Sequence, residues 1–146
     1  MPLSMASDPL FIDTGGFYAL MVIDSPGHER AKEIMANAAN MRRPLVTTDY
    51  VIQETATLLV ARRQRRILEP FFERTQTSKS LTTHWITPER FADARQLMRK
   101  FDDQPFSFTD CVSFILMREL ALTEALATDS HFRTAGFIPL LADISS

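Results

Sequence analysis

The sequence predicts an α/β fold, with helices covering both faces of a central parallel sheet of about five strands. Three observations point there. Short apolar runs such as Leu10-Phe11-Ile12 and Leu45-Val46-Thr47 alternate with longer helix-like segments, the rhythm of successive βαβ units. The first of these runs is apolar throughout, as a strand buried on both faces must be. At 146 residues the chain suits a single domain, able to bury about two-thirds of its unfolded surface.

Each element has its own signal. Leu10 to Ile12 reads as the first strand, followed by a short helix from Thr14 to Val22. Ser25-Pro26 is expected to open a longer helix to Asn40, with proline at the first helical position. Leu45 to Thr47 is a strand, and two helices follow over residues 49–63 and 65–74, the second bent at Pro70. Leu81 to Ile86 is the next strand. Thr87-Pro88-Glu89 starts a helix to Phe101, and Thr109 starts a strongly apolar one to Leu120. Glu124 to Thr128, a helical turn from Ser130 to Ala135, and Ile138 to Leu141 complete the pattern.

Composition excludes several classes. Sixteen Lys and Arg against eighteen Asp and Glu leave a net charge of −2, with no bulk attraction for nucleic acid. Locally the balance differs. Thirteen of the cations are Arg, and Arg62-Arg63-Gln64-Arg65-Arg66 sets four of them within five positions. Guanidinium groups suit bidentate phosphate contact, but such a run also serves as a solvated face or a partner-binding edge. Both readings stay open, with Arg42 and Arg43 as further candidates. The single cysteine, Cys111, excludes an intramolecular disulfide framework, and no Cys/His set has zinc spacing. The opening residues lack a secretory pattern and no apolar run approaches about 18 residues, so a soluble, cytoplasmic protein without membrane contact is expected.

In an open parallel sheet, ligands bind beyond the carboxyl ends of the strands, where the strand order reverses. Four acids are placed to reach that end. Asp13 follows the first strand, Asp129 follows the Glu124–Thr128 strand, and Asp110 begins the 109–120 helix. Glu54 shares an apolar stripe with Val51, Leu58 and Ala61. Each has a simpler explanation. Asp13 and Asp129 could cap helices, Ser107 to Asp110 has capping-box spacing, and Glu54 could pair with an arginine. Together they suggest more, because converging carboxylates repel unless something positive lies between them. A hard divalent cation takes oxygen ligands of this kind.

Rival chemistry has little support. There is no glycine-rich phosphate loop, nucleophile elbow or dinucleotide fingerprint. Cys111 falls inside an apolar helix and is expected in the core. His28, His84 and His131 lack motif spacing and are expected to pack or cap. An aspartyl-nucleophile phosphohydrolase would want a second Asp two residues after Asp13, where Gly15 stands. A non-catalytic module binding RNA or protein remains the main alternative. Leu58, Leu59, Ile67, Leu68, Phe71 and Phe72 fit either core packing or a groove for an amphipathic partner helix.

Four segments carry a family resemblance: Phe11-Ile12-Asp13-Thr14, Thr47-Thr48-Asp49-Tyr50-Val51-Ile52-Gln53-Glu54-Thr55, Ser107-Phe108-Thr109-Asp110-Cys111, and Ala127-Thr128-Asp129-Ser130-His131-Phe132. In this order they resemble the motifs of PIN-domain nucleases, especially VapC-type toxins of bacterial toxin–antitoxin pairs. The resemblance implies a three-layer α/β/α sandwich and a single-strand-specific endoribonuclease using Mg²⁺ or Mn²⁺. It further implies a homodimer held inactive by a cognate antitoxin. By position, Asp13, Glu54, Asp110 and Asp129 would form the catalytic metal site. Thr14, Thr109 and Ser130 would be supporting hydroxyls. Arg62, Arg63, Arg65 and Arg66, singled out by their charge rather than by the resemblance, are candidate contacts for RNA or antitoxin. Residues 8–146 would form the domain, with 1–7 a flexible extension. Gly15-Gly16 departs from the family's usual small or apolar helix formers and is expected to soften the first helical turn.

Overall fold

The computed structural model describes residues 8–143, so the expected N-terminal extension at residues 1–7 lies outside them. In chain order the elements are β1 (Leu10–Ile12), α1 (Thr14–Met21), α2 (His28–Asn40), β2 (Leu45–Thr48) and α3 (Asp49–Ala61). A 3₁₀ turn at Arg65–Ile67 leads into α4 (Leu68–Thr77), then β3 (Leu81–His84), α5 (Pro88–Lys100) and α6 (Phe108–Glu119). The chain continues through β4 (Glu124–Leu126), α7 (His131–Thr134) and β5 (Ile138–Pro139). Five parallel strands lie in the order β3-β2-β1-β4-β5. Phe11 pairs with Val46 on one side and Ala125 on the other, so β1 is central. Its three residues are at most 1% exposed, because helices cover both faces of the sheet. The architecture is a three-layer α/β/α sandwich around one parallel sheet.

Several boundaries differ from the sequence expectation. Pro26 does not open α2. The His28 N–H donates to the Ser25 carbonyl in a turn, and the helix begins at His28 after Gly27. Pro70 does not bend α4, since it sits in the first turn, where its missing N–H has no partner to lose. The last three strands are shorter than expected, and β2 is one residue longer: β4 ends at Leu126, and Ala127 and Thr128 continue without ladder pairing.

Local chemistry fixes where the helices start. Thr48 accepts from the Val51 N–H, and Thr87 accepts from the Arg90 N–H with Pro88 at the first helical position. Gly15 and Gly16 both lie within the first turn of α1. They allow it to touch the sheet, because a Cβ on Gly16 would lie 2.1 Å from the Leu126 carbonyl oxygen. A Cβ on Gly15 would lie 2.2 Å from Thr128 Oγ1. The helix that follows Asp13 is therefore pressed against the end of β4.

The core runs from the sheet into α1, α3 and α6. Phe114 stands edge-on to Phe132 with ring centroids 5.0 Å apart, and Phe17 meets Phe71 at 5.3 Å. Leu59 and Phe71 are buried in this core, while Ile67, Leu68 and Phe72 pack partly against it.

Candidate active site

The chain steps outward from β1 to β2 and β3, then returns to β4 on the opposite flank of β1. The crevice beyond the carboxyl ends of β1 and β4 is thus the switch point of the sheet. Asp13 stands there, its N–H donating to the Leu126 carbonyl at 3.1 Å. Asp129 lies three residues past β4, Asp110 comes from the first turn of α6, and Glu54 from the second turn of α3. All four carboxylates line one cleft of about 650 Å³, shared with Thr14, Tyr18, Leu58, Arg62 and His131 among others.

The simpler explanations separate residue by residue. Ser107 and Asp110 do form a capping box, with the Asp110 N–H donating to Ser107 Oγ and the Ser107 N–H to Asp110 Oδ2, each at 3.0 Å. Capping and site membership coincide, because the box aims this carboxylate. Asp129 accepts from the His131 N–H at 2.8 Å through Oδ1, leaving Oδ2 turned elsewhere. Asp13 caps nothing with its side chain. It is 5% exposed, and its buried Oδ1 has no hydrogen-bond partner.

Glu54 pairs with no arginine among the described residues. It accepts instead from Thr14 Oγ1 at 2.5 Å. Nor does it lie on the buried stripe of its helix. Val51, Thr55 and Leu59 form that stripe, and Glu54, Leu58 and Arg62 form the neighbouring one, which faces the cleft. The two stripes are about 100° apart on the helix, a single-residue step.

The electrostatics follow from this crowding. Burial pushes the Asp13 carboxyl well above its usual range, and the charges of Asp110, Glu54 and Asp129 push it further. The Thr14 backbone N–H opposes this only in part. Asp110 is also raised, mainly by burial, against hydrogen bonds from Ser107 and His131. A buried carboxylate with an unpartnered oxygen, in one cleft with three other acids, is a donor set that fits a hard cation.

One residue of the cleft was not anticipated. His131, expected to pack or cap, places Nδ1 3.2 Å from Asp110 Oδ2 and 3.1 Å from Asp129 Oδ2. Only its position two residues after a strand-end carboxylate could have signalled this. Asp110, Asp129 and His131 bring one ligand atom each within 4.8 Å of one another, while Asp13 and Glu54 stand outside that tight group. The other two histidines differ: His28 Nδ1 lies 2.7 Å from the Ala19 carbonyl in the core, and His84 is half-buried on β3. Cys111 is fully buried, and burial raises its thiol pKa.

Of the three hydroxyls, Thr14 engages a carboxylate, whereas Thr109 is half-buried and Ser130 exposed, neither lining the cleft. Arg62 lines it, with its guanidinium 4.8 Å from the Tyr18 ring centroid. Arg63, Arg65 and Arg66 are exposed just beyond. Arg43 is committed elsewhere. It pairs with Glu124 at 2.9 Å and donates to the Asp8 carbonyl, at the opposite end of the sheet. Arg42 precedes it there, so neither is placed to serve the cleft.

A parallel five-stranded sheet carrying an acidic cleft at its switch point defines a class, and the PIN-domain profile matches residues 10–138. The chain belongs to the PIN-domain family. It is similar to the 23S rRNA-specific endonuclease VapC20 of Mycobacterium tuberculosis, 29% identical over 130 residues in two strains, covering 88% of this chain and 95% of the relative. The crystal structure of Mycobacterium tuberculosis VapC20, described as a sarcin–ricin loop cleaving toxin, matches with a TM-score of 0.79 at 27% identity. That match covers 88% of this chain and 96% of the other.

Proposed function

We propose that this chain is a metal-dependent endoribonuclease that cuts single-stranded RNA, and the toxin of a toxin–antitoxin pair. The observation that carries the reading is the single cleft lined by Asp13, Glu54, Asp110 and Asp129, in which Asp13 keeps one buried oxygen without a hydrogen-bond partner. The VapC20 relatives act on 23S rRNA, which makes a ribosomal RNA loop the first substrate to try.

Asp13, Glu54, Asp110 and Asp129 would hold Mg²⁺ or Mn²⁺, which when bound supplies Lewis acidity that neutralises charge building on the phosphate and acidifies a nearby water. The chain's own groups prepare the site. Thr14 holds Glu54 in position through its hydroxyl, and the Ser107 capping box fixes the Asp110 rotamer before substrate arrives. Arg62 offers a guanidinium at the cleft wall for a backbone phosphate, and Arg63, Arg65 and Arg66 extend that positive edge outward. Unpaired RNA suits an open cleft, since its bases splay away while the backbone enters.

A second copy of the chain and an antitoxin complete the proposal, with the antitoxin blocking the acidic cleft. Phe91 and Met98 on α5 stand 46% and 39% exposed and offer apolar surface to the second copy. No helix among the described residues is long and apolar enough to cross a membrane.

The test is cleavage of a single-stranded RNA with Mn²⁺ present. Asp13→Asn and Asp110→Asn should each lose it while keeping wild-type secondary structure by circular dichroism. Full cleavage by both variants would reject the assignment.

A further inference from the structure

We propose that His131 supplies a nitrogen ligand to the cation of the carboxylate cleft and thereby biases the site toward Mn²⁺ over Mg²⁺. This rests on the metal-dependent reading above and deepens it. Among the described residues, His131 is the histidine of the cleft. Its Nδ1 lies 3.2 Å and 3.1 Å from one oxygen each of Asp110 and Asp129. Two ligands at right angles on a cation with bonds of about 2.1 Å lie about 3 Å apart, so this spacing matches one edge of an octahedron at each carboxylate.

The ring is held rather than free. The backbone N–H of His131 donates to Asp129 Oδ1 at 2.8 Å, fixing the main chain beside the cleft, and the imidazole stands edge-on to Phe106 at 5.4 Å, itself 5% exposed. Asp13 lines the same cleft, and its Oδ1 is buried without a hydrogen-bond partner. With an oxygen each from Asp110 and Asp129 and a nitrogen from His131, the donor set is mixed. Mg²⁺ favours oxygen alone, whereas Mn²⁺ and later metals accept imidazole more readily. The competing role for His131 is a charge partner that links two carboxylates without touching the ion.

Pulsed electron paramagnetic resonance of Mn²⁺ bound to the full chain separates the two. Directly coordinated nitrogen modulates the spin echo strongly through its through-bond hyperfine coupling, whereas a hydrogen-bonded imidazole outside the coordination shell gives only weak dipolar modulation. The wild type and a His84→Gln control should show the strong modulation, and His131→Gln and His131→Asn should lose it. Calorimetry should find Mn²⁺ affinity falling about tenfold in the His131 variants, with Mg²⁺ affinity changed less than about twofold. Bound Mn²⁺ without strong nitrogen modulation in the wild type, or strong modulation persisting in His131→Gln, would overturn the proposal and leave the carboxylate site standing. If the wild type binds neither ion, the metal-dependent reading falls with it.

Discussion

Asp13 is held where its charge is disfavoured. Its carboxylate is buried, feels the charge of three other acids and has one oxygen without a partner. An acid with a higher pKa in the folded than in the unfolded state takes up a proton on folding. Stability contributed by Asp13 is therefore greatest below its ordinary value of 3.8 and is lost as pH rises through its elevated folded value. Asp13→Asn keeps the shape and removes the charge. In the presence of chelator at pH 8, it should be more stable than the wild type by about 1–3 kcal/mol. That corresponds to a few degrees in Tm, and the difference should shrink toward pH 4. Calorimetric melting at both pH values checks this, and a wild type at least as stable as Asp13→Asn at pH 8 would contradict it. The same variant is expected to lose cleavage, so stability and activity move in opposite directions at one residue.

At the scale of the element, the start of α1 matters most. Gly15 and Gly16 look like helix weakeners, yet they bring the helix after Asp13 against the backbone of β4. Gly16→Ala would place a methyl group against a main-chain carbonyl that cannot move without disturbing the β1–β4 ladder. A destabilisation of about 1–3 kcal/mol is expected by urea unfolding, despite alanine's better helix propensity. A stabilised variant would show instead that glycine served only flexibility. The same contact bears on the aspartyl-nucleophile alternative, because an acid at position 15 would collide with Thr128. Elements also explain Glu54. Periodicity alone placed it with Val51 and Leu58, but those two belong to adjacent stripes of α3, and only packing decides which stripe is core and which is cleft wall.

For the whole molecule, the relevant quantity is the distribution of charge around one cleft rather than the net −2. Arg62 reaches the wall, three more arginines follow it, and Arg43 is withdrawn to a structural pair at the other end. Arg62→Ala should weaken binding of a single-stranded RNA to the Asp110→Asn protein and reduce the slope of log affinity against log salt by about 0.7. Arg43→Ala should leave that slope unchanged and lower stability instead. Fluorescence anisotropy across a salt series reads both, and equal slopes for Arg62→Ala and the parent would remove Arg62 from the RNA path.

The sequence by itself determined the α/β rhythm, the capping signals at Thr87 and Ser107, and the candidacy of four acids, because these depend on local pattern. Burial of the whole first strand was legible in Leu10 to Ile12 for the same reason. Only the tertiary structure decided what those acids face. Residues 13, 54, 110 and 129 are far apart in the chain, and the switch point of the sheet brings them to a common cleft. It also decided that His131 stands between two carboxylates and that Arg43 is spent at the far edge. Neighbours made by chain crossings leave no trace in local composition, so they become visible only when the strands are laid side by side.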